Sequence, residues 1–157
     1  MGTAGFLDED SQERKRLLEN THDINEYFDA LNAMKDKCII IVAVRNESNK
    51  YIRIIEKNEL GLDGLPHIPK DHAYIGIVDY SADYIYEETT AGEAYYYYDG
   101  FDISSTKAWA QVQINDVNQA INSRGVNICV FDSESYLLVD SIVVDTSLDK
   151  GLTVKRY

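Results

Sequence analysis

The sequence predicts an α+β fold, an antiparallel β-sheet or sandwich flanked by two or three helices. Apolar residues recur at helical spacing in the first 61 residues, and from Ala73 onward the period changes to two. The second half is also punctuated by tight-turn pairs such as Asp99-Gly100 and Asn115-Asp116. With 157 residues, 45 % of them hydrophobic and 27 % charged, the chain is long and apolar enough to bury the core of one domain.

Residues 1–20 read as a polar, weakly structured leader with one helical turn near residues 14–18, residues 21–150 as the domain, and residues 151–157 as a C-terminal tail. Asp23 with Glu26 three residues on is a capping-box start, and Ile24, Tyr27, Phe28, Leu31 and Met34 share one helical face. That helix ends at residues 35–37, where lysines complement the terminal dipole. Residues 38–44 are too β-branched for a helix and too uniformly apolar for a half-wet strand, which predicts a strand covered on both faces. Tyr51, Ile52, Ile54, Ile55 and Leu60 predict a second helix closed by Gly61, and Gly64, Pro66 and Pro69 mark a loop. Four hairpins follow: 73–80 with 83–87, 94–99 with 101–107, 109–114 with 117–121, and 126–131 with 136–144.

Fifteen Lys and Arg against 27 Asp and Glu give a net charge of −12, which repels a phosphate backbone and argues against nucleic acid. The longest apolar run, Cys38 to Val44, is far short of the roughly 20 residues of a membrane helix, so no membrane insertion is expected. Residues 1–18 lack the apolar stretch of a secretion signal, so the chain reads as cytoplasmic or as part of a larger protein. Cys38 and Cys129 both lie in apolar runs, the setting of buried free thiols, with one inter-strand disulfide as the alternative.

Catalytic signatures are missing. No phosphate-binding glycine loop, nucleophile elbow, zinc motif or calcium loop occurs, and His22, His67 and His72 have no cysteine or serine partner in a local motif. The expectation is a non-enzyme that uses no cofactor and no metal. The aromatic content is more informative, because 12 residues are tyrosine, with a run at Tyr95, Tyr96, Tyr97 and Tyr98. Tyrosine offers a flat apolar face and a hydroxyl at low entropic cost, which suits sugars and protein partners. On a strand, Tyr95 and Tyr97 face one way and Tyr96 and Tyr98 the other, so one pair is expected in the core and one exposed. Cross-strand aromatic pairing on an outward face is the plainer reading of the run. Trp109 either stacks on a sugar ring or fills the core.

Two segments carry a resemblance to a known family. Residues 109–146, which contain Arg124-Gly125-Val126-Asn127 and Val144-Asp145-Thr146, resemble the opening of the interleukin-like EMT inducer (PANDER-like) domain. Residues 23–88 resemble its remainder: a helix, an apolar strand, an acidic loop, a helix ending in Leu-Gly and a further strand. The order is reversed relative to the family, as in a circular permutant or a unit cut differently from a tandem array. Residues 21–23 are therefore expected close to 145–146.

The resemblance implies a PANDER-like sheet domain flanked by helices and used for recognition. The family occurs in secreted cytokine-like proteins and as the glycan-binding stem of a Golgi N-acetylglucosaminyltransferase, and similar domains accompany bacterial glycan-handling proteins. It implies sugar contacts at Arg124, at Asn46 beside Glu47 in place of the family's carboxylate, and near His72, where the family has an arginine before an aromatic strand. The family's paired cysteines are absent, as suits a bacterial or intracellular relative. The sequence thus reads as a non-catalytic carbohydrate-recognition domain of a bacterial or phage glycan-handling protein. Its ligand would be a glycan such as one containing N-acetylglucosamine, contacted by Arg124, Asn46, Glu47, His72 and Trp109. The alternative is a protein-interaction or structural domain whose partner, another protein or a domain of the parent polypeptide, docks on Tyr95 to Tyr98. A concave site joining Arg124, Asn46 and an exposed aromatic would favour sugar. A flat tyrosine patch with Arg124 locked in a salt bridge would favour a protein.

Overall fold

Asp8 and Asp23 each start a helix by accepting a backbone hydrogen bond three residues on, from Ser11 at 2.8 Å and from Glu26 at 2.9 Å. They open α1 (Glu9–Glu19) and α2 (Ile24–Met34) in the computed structural model, which describes residues 5–56 and 58–156. Nine strands follow among the described residues: β1 (Cys38–Arg45), β2 (His72–Asp79), β3 (Tyr84–Ala91), β4 (Ala94–Tyr98), β5 (Phe101–Ser105), β6 (Ala110–Ile114), β7 (Val117–Asn118), β8 (Gly125–Asp132) and β9 (Leu138–Val144). They form two antiparallel sheets, one of five strands ordered β3-β2-β1-β8-β9 and one of four ordered β4-β5-β6-β7. No helix among the described residues is long and apolar enough to cross a membrane.

The apolar run of β1 places it at the centre. Cys38, Ile40, Val42 and Val44 point to the helix side, against residues such as Tyr27 and Leu31 of α2. Ile39, Ile41 and Ala43 point to the other side, against Phe101, Ile103 and Val112 of the four-stranded sheet. The result is three layers, helices on the five-stranded sheet on the four-stranded sheet, and the α+β sandwich expected from the sequence is present in that form. Buried Ser105 ties the two sheets together by donating to Val44 O at 2.6 Å and accepting from Tyr74 N at 3.0 Å. Both two-residue turns read from the sequence occur, with Asp99, Gly100, Asn115 and Asp116 all at positive φ.

Several expectations need correction. The leader carries the full helix α1, which anchors through buried Leu18 and Ser11. Its apolar stripe is too sparse to signal a helix, and the cap at Asp8 and the tie from Arg14 to Asp132 at 3.1 Å hold it in place. The second helix expected between Tyr51 and Leu60 is only a 3₁₀ turn, Ile52–Ile54. Side chains take the backbone groups a helix would pair: Asn25 bonds Ile54 O and Glu56 N, and Asn58 bonds both Leu62 N and Leu62 O. The tail is part of the fold, since Thr153 pairs with Asp23, Lys155 pairs with Val143, and Leu152 is buried. Residues 1–4 of the expected leader, Lys57 in the expected second helix and Tyr157 of the tail lie outside the described residues.

Cys38 and Cys129 are free and buried on opposite faces of the five-stranded sheet, so the alternative of a disulfide does not arise. Burial pushes their thiols up to about 11 and about 12.

Candidate functional site

Alternation along the strands decides what the four-stranded sheet shows to solvent. Tyr96 and Tyr98 turn inward, where their rings stack on Tyr86 at 3.9 Å and Tyr84 at 4.5 Å from the β3 edge of the other sheet. Tyr98 also donates to Asp79 at 2.7 Å, and the Tyr84 and Tyr96 hydroxyls bond each other. These two tyrosines are half-buried and close the side of the sandwich, the inward pair of the run, so Tyr95 and Tyr97 are the pair that faces solvent. Tyr95 and Tyr97 point outward and are 55 % and 69 % exposed.

Register builds a face around that outer pair. Tyr95 sits opposite Ser104, which sits opposite Gln111, while Tyr97, Asp102 and Gln113 form the next row. Trp109 precedes β6 on the same face, and its indole N–H donates to Ser104 Oγ at 3.0 Å, so the ring lies back over the sheet and leaves Ser104 only 5 % exposed. The Tyr95 hydroxyl donates to Glu93 at 2.9 Å, which aligns its ring with the strand. The surface therefore sets three aromatic rings among amide, hydroxyl and carboxylate groups. Ser104 sits on the middle strand β5 directly opposite Tyr95, so the Trp109 ring that covers it and the Tyr95 ring are neighbours on one face.

The other expected contacts cluster at one end of the sandwich. Arg45 pairs with Gly125 in the β1–β8 ladder, which sets Asn46 beside Arg124. Arg124 meets Asp145 at 3.4 Å, and both side chains retain solvent contact, a pairing worth about 0–1 kcal/mol. Burial opposes ionisation of Asp145, but hydrogen bonds from the Ser147 amide and hydroxyl, together with Arg124, outweigh it and lower its pKa. Asn46 is exposed, and its N–H donates to Thr106 O at 3.2 Å. Thr106 Oγ1 in turn accepts from Trp109 N at 2.9 Å, so this end abuts the aromatic face through one residue. His72 opens β2, half-buried, with Nδ1 3.1 Å from Lys70 O. Arg124 and Asn46 thus adjoin each other, but neither half of the sequence criterion is met in full. The aromatic rings lie on the outer sheet face, and the Arg124 ion pair is loose.

Glu47 is 1 % exposed, which removes it as a ligand contact. Its Oε1 accepts from Asn49 N at 2.9 Å and from the Thr146 hydroxyl, while Oε2 is buried without a partner. Burial raises its pKa, and nearby Asp145 adds to the shift, against the lowering effect of the Thr146 and Asn49 hydrogen bonds. A raised folded-state pKa means that the folded protein holds the proton more tightly than the unfolded chain. Stability from this group is therefore full below the ordinary carboxylate range and is lost as pH rises through the folded pKa. Glu47→Gln is expected to melt higher than the wild type at neutral pH, with the gap closing as pH falls toward about 4, as thermal denaturation across pH would show.

The loop that carries Arg124 is organised by Asn127, which is fully buried. Its side chain accepts from Asn122 N and Ser123 N and donates to Ser123 O and Gly125 O. The Arg-Gly-Val-Asn motif is in this respect a loop-shaping device. The start of α2 reaches the end of β9 through hydrogen bonds from Ile24 N to Leu152 O, Leu152 N to Asp149 O and Asp149 N to Asp145 O. Sequence reasoning missed Asp102, Gln111 and Gln113. The alternation Ala-Gln-Val-Gln-Ile over Ala110–Ile114 is the signal that could have placed the glutamines outward. No family model, no curated protein and no solved structure matches the chain.

Proposed function

We propose that the protein is a non-catalytic carbohydrate-recognition module that binds its glycan on the outer face of the four-stranded sheet. One observation carries this reading: Tyr95, Tyr97 and Trp109 share the outer sheet face with Asp102, Gln111 and Gln113, so aromatic rings stand beside amide and carboxylate groups. Sugar rings have an apolar face, which the aromatic rings can cover, and hydroxyls, which amide and carboxylate groups can bond. Arg124 and Asn46 adjoin that face through Thr106 and form its polar rim. The proximity of the α2 start to the β9 end also supports a permuted PANDER-like domain, the kind of unit that accompanies bacterial or phage glycan-handling proteins. Affinity is expected to be modest, because polar sugar contacts displace bound water.

A protein partner docking on Tyr95 and Tyr97 is the second reading, and the engagement of Arg124 by Asp145 is what favours it. A glycan array separates the two. The wild type should bind a defined glycan class, Tyr97→Ala should lose about tenfold or more, and Arg124→Ala should keep most of the signal with a stability change within about 1 kcal/mol. An array that stays blank for the wild type would leave the protein-partner reading. Loss in Arg124→Ala with retention in Tyr97→Ala would move the site to the Asn46–Arg124 end.

A further inference from the structure

We infer that Asp102 sets the ligand class of this face, selecting glycans without anionic groups. The inference rests on the carbohydrate reading above. Asp102 is exposed on β5, with Tyr97 as its cross-strand neighbour on one side and Gln113 on the other. A ring stacked on Tyr97 therefore brings its hydroxyls over the Asp102 carboxylate, which can only accept hydrogen bonds. A hydroxyl donates to a carboxylate through a short, charge-assisted bond, whereas a uronate or sulfate presents charge of the same sign.

The surroundings of the face reinforce that sign. Glu93 is held at its rim by the Tyr95 hydroxyl, and Asp99 and Asp116 occupy the two hairpin turns at its far end. The two cations beside it each face a carboxylate, Lys107 toward Asp71 at 3.8 Å and Arg124 toward Asp145 at 3.4 Å. The whole chain carries a net charge of −12, so the long-range field acts in the same direction. Gln111 and Gln113 supply neutral donors and acceptors, which suit hydroxyl and acetamido groups equally.

Native affinity electrophoresis tests this with the intact chain. Gels are cast with hydroxyethylcellulose, glycol chitin or galactomannan, and in parallel with carboxymethylcellulose or polygalacturonate at equal mass. The wild type should be retarded by at least one neutral polymer and by neither anionic one. Asp102→Asn, nearly the same shape without the charge, should weaken neutral binding by about tenfold and narrow the discrimination against the anionic polymers. Retardation by carboxymethylcellulose equal to that by hydroxyethylcellulose, or an Asp102→Asn variant that discriminates as the wild type does, would overturn the inference while leaving carbohydrate recognition standing. Migration unaffected by every polymer would count against carbohydrate recognition itself, and the inference would fall with it.

Discussion

Gly125→Ala is expected to destabilise the protein by about 4 kcal/mol or more, because backbone strain and steric overlap act together at this position. Gly125 has φ +116°, a conformation that side chains rarely adopt. A Cβ there would lie 2.1 Å from Val144 O and 2.9 Å from Asp145 Cα, and both obstacles are backbone. Gly125 pairs with Arg45 across β1–β8, and its other side faces the end of β9, so neither neighbour can withdraw without breaking a ladder. Denaturant titration checks the value. A change under about 1 kcal/mol would show that the β8–β9 register is looser than described. The result also bears on the Arg-Gly motif, because a glycine required by packing need not be there for a ligand.

The second large effect lies in the C-terminal segment. Asp140 is only 2 % exposed, and Arg156 grips it with Nε to Oδ1 at 2.9 Å and Nη2 to Oδ2 at 2.6 Å. Tyr27 donates to the same carboxylate at 2.8 Å, and Arg156 also bonds Leu18 O at 3.1 Å, capping α1. Arg156→Ala leaves the buried carboxylate with no cation. Breaking such a pair typically costs 3–5 kcal/mol, and the guanidinium keeps part of its solvent contact, so about 3 kcal/mol is expected here. For a chain of this size that is a melting temperature lower by roughly 10 °C. Adding Asp140→Asn should recover much of the loss, since a neutral amide is far cheaper to bury than an unpaired charge. If Arg156→Ala melts with the wild type, the tail is not the lock that its hydrogen bonds describe.

The fold was largely legible because its signals are local. The Asp23 cap, the β-branched run of β1 and the two-residue turns at Asp99-Gly100 and Asn115-Asp116 each fix an element without help from distant residues. What escaped depends on distant partners. Helix α1 gains its place from Asp132 and the C-terminal segment from Asp140, and neither pairing leaves a trace in local periodicity. The second helix failed because Asn25 and Asn58 compete for its backbone groups.

The candidate site was legible only in pieces. Tyr95, Tyr97 and Trp109 are conspicuous by type, and strand alternation correctly splits the tyrosine run into an inner and an outer pair. Which polar residues accompany them is a matter of register between β4, β5 and β6, which a linear reading does not supply. Glu47 followed the opposite course, conspicuous by its neighbours yet buried by the turn that carries Thr146.

Binding of a glycan to the outer sheet face can be followed with a built-in probe. Trp109 is the only tryptophan of the chain, and its indole lies on that face over Ser104. Titrating the highest-ranked array glycan while exciting tryptophan selectively should give a saturable change in emission for the wild type and none for Tyr97→Ala. Binding registered by calorimetry with no change in Trp109 emission would contradict binding on this face and place the ligand elsewhere on the molecule.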